Sequence, residues 1–519
     1  MRELSRRRFL VGSTVALGSA SVGALASACG GGVGGGSTGG GASGGSSIAT
    51  FTAVFQGSGT AEGIDPGINI QFVDEARLKA LYDGLFEVDD QMRPVPRLAE
   101  SGEPNRDGTV WRIRLRDARW HDGHKLTADD VLYTLARVLG PPEPRPFAAA
   151  ATLEPIDLSL SRAVDERTVE ITLKRPFFEF LTALAAYGTK IVRNGSKDFR
   201  TAVGTGPFRF ESFTPGKQLV AGAYQDYWDG PPPVQQLKIL SADADARANA
   251  LLGGQVDFVD TLSPAASNTL RNTAGMTVHT TPNSGIYYFA MKTDRPPFNN
   301  PDVRRALMHM VDREELSRVA LEGQAEIGND VFGKGYQYYA DLPQHTFDPD
   351  LARSLLRTAG VADLRFDLYT APAAAGLVEA ASLFAAQARR GGAAVNVVLG
   401  AKDTYYSDAM KINALTMGQS GPLPIPNHFA SRLLSHSPQN RTNWADPTFD
   451  AWYGKAQASA TESDRTAIYR QMHEMLYDRG GFLYWANANW TNAAPAKFRN
   501  IPTGVPNSTN WARFNKVSL

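Results

Sequence analysis

The sequence predicts a mixed α/β protein of more than one packed unit, and three observations carry that expectation. At 519 residues, 43% of them apolar and 20% charged, the chain exceeds what one ordinary core organises. Stretches with the two-residue period of half-buried strands are interspersed with stretches of helical period. No unit of roughly 20 to 50 residues repeats, which sets solenoids and propellers aside.

The first elements belong to an address. Ser5-Arg6-Arg7-Arg8-Phe9-Leu10 precedes a modestly apolar run to Ala28, the order of an export signal. Gly12, Ser13, Thr14, Gly18, Ser19, Ser21 and Gly23 interrupt that run, so it reads as a cleaved leader and not as a spanning helix. The segment resembles a twin-arginine signal. Leu25-Ala26-Ser27-Ala28-Cys29 resembles a lipobox with its Leu one place further out than usual, which implies lipidation of Cys29; the alternative is a plain secreted protein cut after Ala-Ser-Ala. Residues 30–47 are almost entirely Gly and Ser, a flexible tether.

Charge narrows the function. Basic and acidic residues both number 53, and loss of the leader before Cys29 leaves 49 and 52, a net of about −3. No long-range field would gather nucleic acid or an anionic membrane surface. Cys29 is the sole cysteine, so the body can hold no disulfide, cysteine metal site or thiol nucleophile.

Within the body, Trp111, Ile113 and Leu115 alternate with Arg112, Arg114 and Arg116, and Val169, Ile171 and Leu173 alternate with polar neighbours, giving two strands. Thr127 and Asp130 cap a helix whose face is Val131, Leu132, Leu135, Val138 and Leu139 and which Gly140-Pro141 ends. Asn300-Pro301-Asp302 opens another helix, and Asp348-Pro349 a third that stops at Gly360. Gly204 and Gly206 around Thr205 suit a tight turn that enters a strand, because glycine permits positive φ at little steric cost. Pro141–Pro146, Pro231–Pro233 and Pro296-Pro297 mark turns between subdomains. His121-Asp122-Gly123-His124 reads as a hairpin turn and not as a metal site, because its side chains would not converge on one ion.

The motifs form an ordered series: Leu81-Tyr82-Asp83-Gly84-Leu85, Pro96-Arg97-Leu98-Ala99-Glu100-Ser101, Trp111–Arg116, Trp120-His121-Asp122-Gly123 and Leu126–Val131. Val203–Phe208, Tyr227-Trp228-Asp229-Gly230-Pro231, Asp302–Leu307 and Leu355–Gly360 continue it. Together they resemble family 5 of the extracellular solute-binding proteins, the peptide, dipeptide and nickel receptors. The resemblance implies a two-lobed periplasmic-binding-protein fold of type II, in its large three-subdomain variant, with mixed sheets. It implies a first lobe of residues 48–91, 202–295 and 482–519, an extra subdomain of 92–201, and a second lobe of 296–481.

By the same resemblance the protein is a monomeric binding protein of an ABC importer, with permease subunits as partners and an oligopeptide or similar small solute as ligand. Within the family the alternatives are an oligosaccharide or a nickel or metal-chelate receptor; an anchored hydrolase or a surface protein that has lost transport is of another class. No cofactor, metal or nucleic acid is expected, nor catalysis: Pro422 breaks the nucleophile-elbow spacing of Gly418-Gln419-Ser420-Gly421, and no phosphate loop or His-Glu-x-x-His pair occurs.

Peptide receptors of the family carry an acidic loop that pairs with the ligand's amino group. Here Pro422 and Ile425 stand at the acidic positions of Met417–Phe429, so the solute is expected to be neutral at that end. Gln419, Ser420, Asn427 and His428 supply neutral donors and acceptors there. Tyr287-Tyr288-Phe289 and Phe482–Asn487 supply aromatic faces, from which Tyr287, Trp485 and Asn487 are the candidate contacts.

Replacing Cys29 by Ser is expected to abolish lipid labelling and release an exported soluble protein; unchanged membrane attachment in fractionation would contradict the anchor.

Overall fold

A computed structural model describes residues 47–519 except 58, 70, 142–146, 362 and 403. The export leader with Arg6 and Arg7, Cys29, the tether up to residue 46 and most of the Pro141–Pro146 break lie outside the described residues.

One mixed sheet organises the molecule. Its order is Ala393–Leu399, Leu364–Thr370, Leu415–Ser420, Met276–Ala290, Phe482–Pro495, Phe258–Val259, Ile48–Gln56, Val234–Ala242, Gln218–Ala223 and Phe208–Thr214. The short strand Ala325–Ile327 also pairs with Phe482–Pro495. Two strands are far longer than the rest and antiparallel to each other: Met276–Ala290 has 15 residues and Phe482–Pro495 has 14. At one end Ala493 pairs with Val259, beside Ile48–Gln56. At the other end Tyr287 pairs with Gln419 of Leu415–Ser420. The pair therefore runs out of one half of the sheet into the other. Its register shifts between Thr281 and Gly285, where Asn283 has φ 53° and accepts a 2.6 Å hydrogen bond on its carbonyl oxygen from Tyr336.

Each half is buried by its own core. Phe51, Phe55, Leu81, Leu237, Phe258, Trp511 and Phe514 fill one. Phe289, Leu307, Leu316, Leu377, Phe384 and Leu483 fill another. A third lies under the antiparallel sheet Ala99–Pro104, Val110–Leu115, Thr168–Leu173 and Ile156–Asp165, where Trp111, Ile113 and Leu115 meet Val131 and Leu135. Each such aliphatic or aromatic side chain contributes about 1.5–3 kcal/mol by leaving water.

The locally encoded elements form as the sequence predicts. Helix Ala128–Leu139 starts in a capping box, with Asp130 accepting from Thr127 N at 2.9 Å, and ends at Gly140. Asn300 caps Pro301–Met310 and Asp348 caps Pro349–Thr358, each through its side-chain oxygen. His121–His124 is a turn: Gly123 N donates to Trp120 O and has φ 89°. His121 is structural, its Nε2 and Nδ1 bonded to Gly206 O and Gly204 N, and burial lowers its pKa to about 4.

The two glycines around Thr205 differ from expectation in their cause. Neither has positive φ. Both lie against the backbone of the helix end: a Cβ on Gly204 would sit 1.8 Å from Leu81 O, and one on Gly206 2.5 Å from Leu81 C. Close approach, not turn geometry, demands glycine there.

Gly204→Ala must displace main chain and is expected to destabilise by about 3 kcal/mol, read as a lower urea midpoint at unchanged slope; a midpoint equal to the parent would refute the packing argument.

Candidate ligand-binding site

The site is built where the through-running strands meet two further segments. The first is helix Phe72–Leu81, on which Phe72, Glu75 and Lys79 recur at spacings of three and four and so share a face. The second is strand Leu415–Ser420, the connection Gly421–Pro424 and helix Ile425–Arg432. They touch: a Cβ on Gly421 would lie 2.7 Å from the Phe72 ring. Phe72 packs on Trp490 at 4.7 Å and Trp511 at 5.8 Å between ring centroids. Both indole N–H groups donate to the buried carboxylate of Asp260, at 2.9 and 3.2 Å. A fixed aromatic platform results.

Further contacts close the seam. Tyr187 donates to Pro422 O at 3.3 Å, Asn427 Nδ2 donates to Thr182 O at 3.3 Å, and Phe178 N donates to Gln457 O at 2.8 Å. Three cavities follow the seam and share walls. An inner one of about 30 Å³ is lined by Glu75, Lys79, Tyr187, Lys190, Pro422 and Asn427 among others. A crevice of about 10 Å³ lies between Asn283, Gly285, Pro422 and Asn487. An outer cavity of about 930 Å³ shares Asn283 and Tyr336 with that crevice and reaches Arg97, Asn510 and Arg513. The inner cavity admits one water or one functional group; the outer has the volume of a small-molecule site.

The expected contacts separate into two sets. Gln419 and Ser420 lie at the end of their strand, paired with Tyr287 and Ile286, and Gln419 Nε2 sits close over Gly285. Asn427 lines the inner cavity; Asn487 lines the crevice and donates to Ile327 O at 3.2 Å. These four border the seam. Tyr287 and Trp485 instead pack on each other at 5.1 Å inside the core of Phe289 and Phe384, with burial pushing the Tyr287 phenol pKa up. His428 stacks on Phe332 at 3.7 Å, bonds Tyr484 Oη through Nε2, and is kept neutral by burial and by the neighbouring Arg432 and His473.

Sequence reasoning did not find Phe72, Glu75, Lys79, Tyr187 and Lys190. The face of Phe72, Glu75 and Lys79 was readable as a helical spacing, but apart from Glu87 its partners lie more than a hundred residues away. Around the inner cavity Lys190 pairs with Glu75, and Lys79 lies 3.3 Å from Glu87. Glu87 also binds Arg513, which reaches Asp83 at 2.9 Å. Burial lowers the Lys79 pKa to about 8. Burial would raise Glu87, but Arg513 and Lys79 hold it well below the usual carboxylate range. Among the described residues no group of three or more His, Cys, Asp or Glu is placed to hold a metal ion.

This geometry, in which paired lobes, two connecting strands and amide and aromatic groups line the seam, suits non-covalent capture. Residues 93–441 match the family model described as bacterial extracellular solute-binding proteins, family 5 Middle. The chain belongs to this family. Among family 5 relatives, the peptide transport periplasmic protein SapA of Salmonella typhimurium is 28% identical over 436 residues, covering 76% of this chain and 79% of the relative. Di/tripeptide-binding protein 2 of Pseudomonas aeruginosa is 26% identical over 499 residues, 88% and 93% of the two chains. The solved structure of the ABC transporter substrate-binding protein CtaP from Listeria monocytogenes superposes with a TM-score of 0.80 at 20% identity, covering 91% of this chain and 99% of that one. The fold is thus the two-lobed, type II binding-protein fold of family 5.

One buried acid at the seam gives a pH signature. Glu179 touches the Tyr469 hydroxyl, lies 3.9 Å from Arg465, and is raised by burial to about 7. A carboxyl raised above its unfolded value stabilises the fold below the unfolded pKa and loses that contribution as pH rises through about 7. Glu179→Gln is therefore expected to gain on the parent by up to roughly 3 kcal/mol between pH 4.5 and 7.5; parallel stability curves in urea titrations across that range would contradict it.

Proposed function

We propose that this protein is the solute-capturing component of an ABC importer, which takes an oligopeptide or similar small polar solute between its lobes and delivers it to a membrane permease. The observation that carries the reading is the seam at the crossing strands, where Asn427 lines the inner cavity, Asn487 lines the crevice, and that crevice shares Asn283 and Tyr336 with a cavity of about 930 Å³. Family membership and two relatives named for peptide transport and di/tripeptide binding support the solute class.

In this reading residues 48–91, 202–295 and 482–519 form the first lobe, 92–201 the extra subdomain and 296–481 the second lobe. Hinge closure across Met276–Ala290 and Phe482–Pro495 shifts the population toward a form that the permease recognises. The leader exports the chain, a lipid on Cys29 anchors it outside the cell membrane, and residues 30–47 act as the leash. Family 5 consists of solute-binding proteins, and the protein acts as a monomer without catalysis.

A binding peptide or polar solute is expected to stabilise the fold by about 2.7 kcal/mol at a hundredfold excess over Kd. Gln419→Ala is expected to weaken it by about 1–3 kcal/mol through an unsatisfied partner. Calorimetry and thermal shift over peptides, sugars and chelated metals test this; a panel without any stabilising solute, or scattering profiles unchanged at saturation, would refute capture by closure.

A further inference from the structure

Two buried ammonium groups face the inner cavity, beside the carboxylates Glu75 and Glu87. Lys79 and Lys190 face it with side chains only 1% and 8% exposed. An ammonium group has three N–H donors and no acceptor. Lys79 gives one to Glu87 at 3.3 Å and one to Ser508 O at 2.9 Å, and Lys190 gives one to Glu75. Among the described residues no other hydrogen-bond partner is found for either, which leaves one donor on Lys79 and two on Lys190.

The ion pairs behind the cavity add to this. Glu87 is bound by Arg513 through both carboxylate oxygens, Arg513 also reaches Asp83, and Asp83 lies 3.4 Å from Arg97. Three cations, Lys79, Lys190 and Arg513, thus share three carboxylates, Glu75, Asp83 and Glu87, while Arg97 lines the outer cavity beside Asp90 and Asp229. All three carboxylates are committed to cations, and the lysines keep unused donors in a region where an unpaired donor is costly. The lowered Lys79 pKa agrees with that cost. The opposite wall, Pro422, Leu423, Pro424 and Asn427, contributes no carboxylate. Further along the wall, Asn507 donates to the Tyr187 hydroxyl.

We propose that the inner cavity is an anion subsite, in which Lys79 and Lys190 hold the carboxylate of the captured solute. This rests on the solute-capture reading and specifies its ligand: an acid inserted with its carboxylate foremost, one carboxylate filling the space. Its free oxygens accept from the unused ammonium donors. An inserted ammonium group would instead add a like charge beside Lys79 and Lys190, and the carboxylates it needs are already paired.

The test is calorimetry on the full exported chain with N-acetyl-dialanine, its C-terminal amide, dialaninamide, gluconate and sorbitol. The acid is expected to bind at least about tenfold more tightly than its amide, and Lys79→Met or Lys190→Met to bring that ratio close to one. Even if both variants fail to fold, the ratio in the native protein keeps the proposal open to refutation. Equal binding of acid and amide overturns the anion subsite and leaves peptide capture standing. Tightest binding of dialaninamide overturns it in favour of Glu75 as an ammonium anchor. Binding of gluconate over sorbitol with no peptide bound upholds the anion subsite and overturns the peptide reading. No binding of any probe at millimolar concentration overturns both.

Discussion

Everything in this molecule depends on two antiparallel strands that belong to both halves of one sheet. Met276–Ala290 and Phe482–Pro495 pair with each other along almost their whole length; Phe482–Pro495 is committed through Val259 to the half of the sheet that holds Ile48–Gln56, and Met276–Ala290 to Leu415–Ser420. Backbone hydrogen bonding alone thus fixes how the lobes are joined. One of the two breaks in that ladder, at Thr281 to Gly285, falls beside the cavities of the seam. A shifted register unpairs main-chain groups and increases local twist, so the joint is loosened where it borders the crevice between Asn283, Gly285, Pro422 and Asn487.

Local chemistry was legible in the sequence, and long-range chemistry was not. Asn300, Asp348 and the Thr127–Asp130 pair mark helix starts because capping is settled within four residues. The alternation at Trp111 to Leu115 marks a strand because one of its faces is wet. Alternation fails at Tyr287 and Trp485, where both faces are buried: Tyr287 and Phe289 enter one core while Ile286, Tyr288 and Tyr484 enter another. The register shift between Tyr287 and Tyr288 also puts consecutive residues Trp485 and Ala486 in the same core. Gly204 was legible as an obligatory glycine but not for its reason, since the carbonyl of Leu81 that excludes a side chain is 123 positions away. The family series fixed the fold class and left the solute open.

The wall of the seam divides its work by residue type. Trp490 and Trp511 pack on Phe72 behind the seam, and Asp260 holds the two indole rings in place. The acids and bases around Asp83, Glu87 and Arg513 are buried and multiply bonded. Such a network adds little net stability over apolar packing, but it tolerates few alternative arrangements. One set of residues supplies contact and the other restricts shape.

The path of the last forty residues has a kinetic consequence. Phe482–Pro495 lies at the centre of the sheet, and Phe514 packs on Phe51 at 5.4 Å, joining the two extremes of the folded chain. The first core is thus a product of very high contact order, and such topologies fold slowly. A chain still emerging from the ribosome holds Ile48–Gln56 without the ring that covers it, and lacks the strand that would join the halves of the sheet. During synthesis its partly formed sheet exposes unpaired edges and apolar surface.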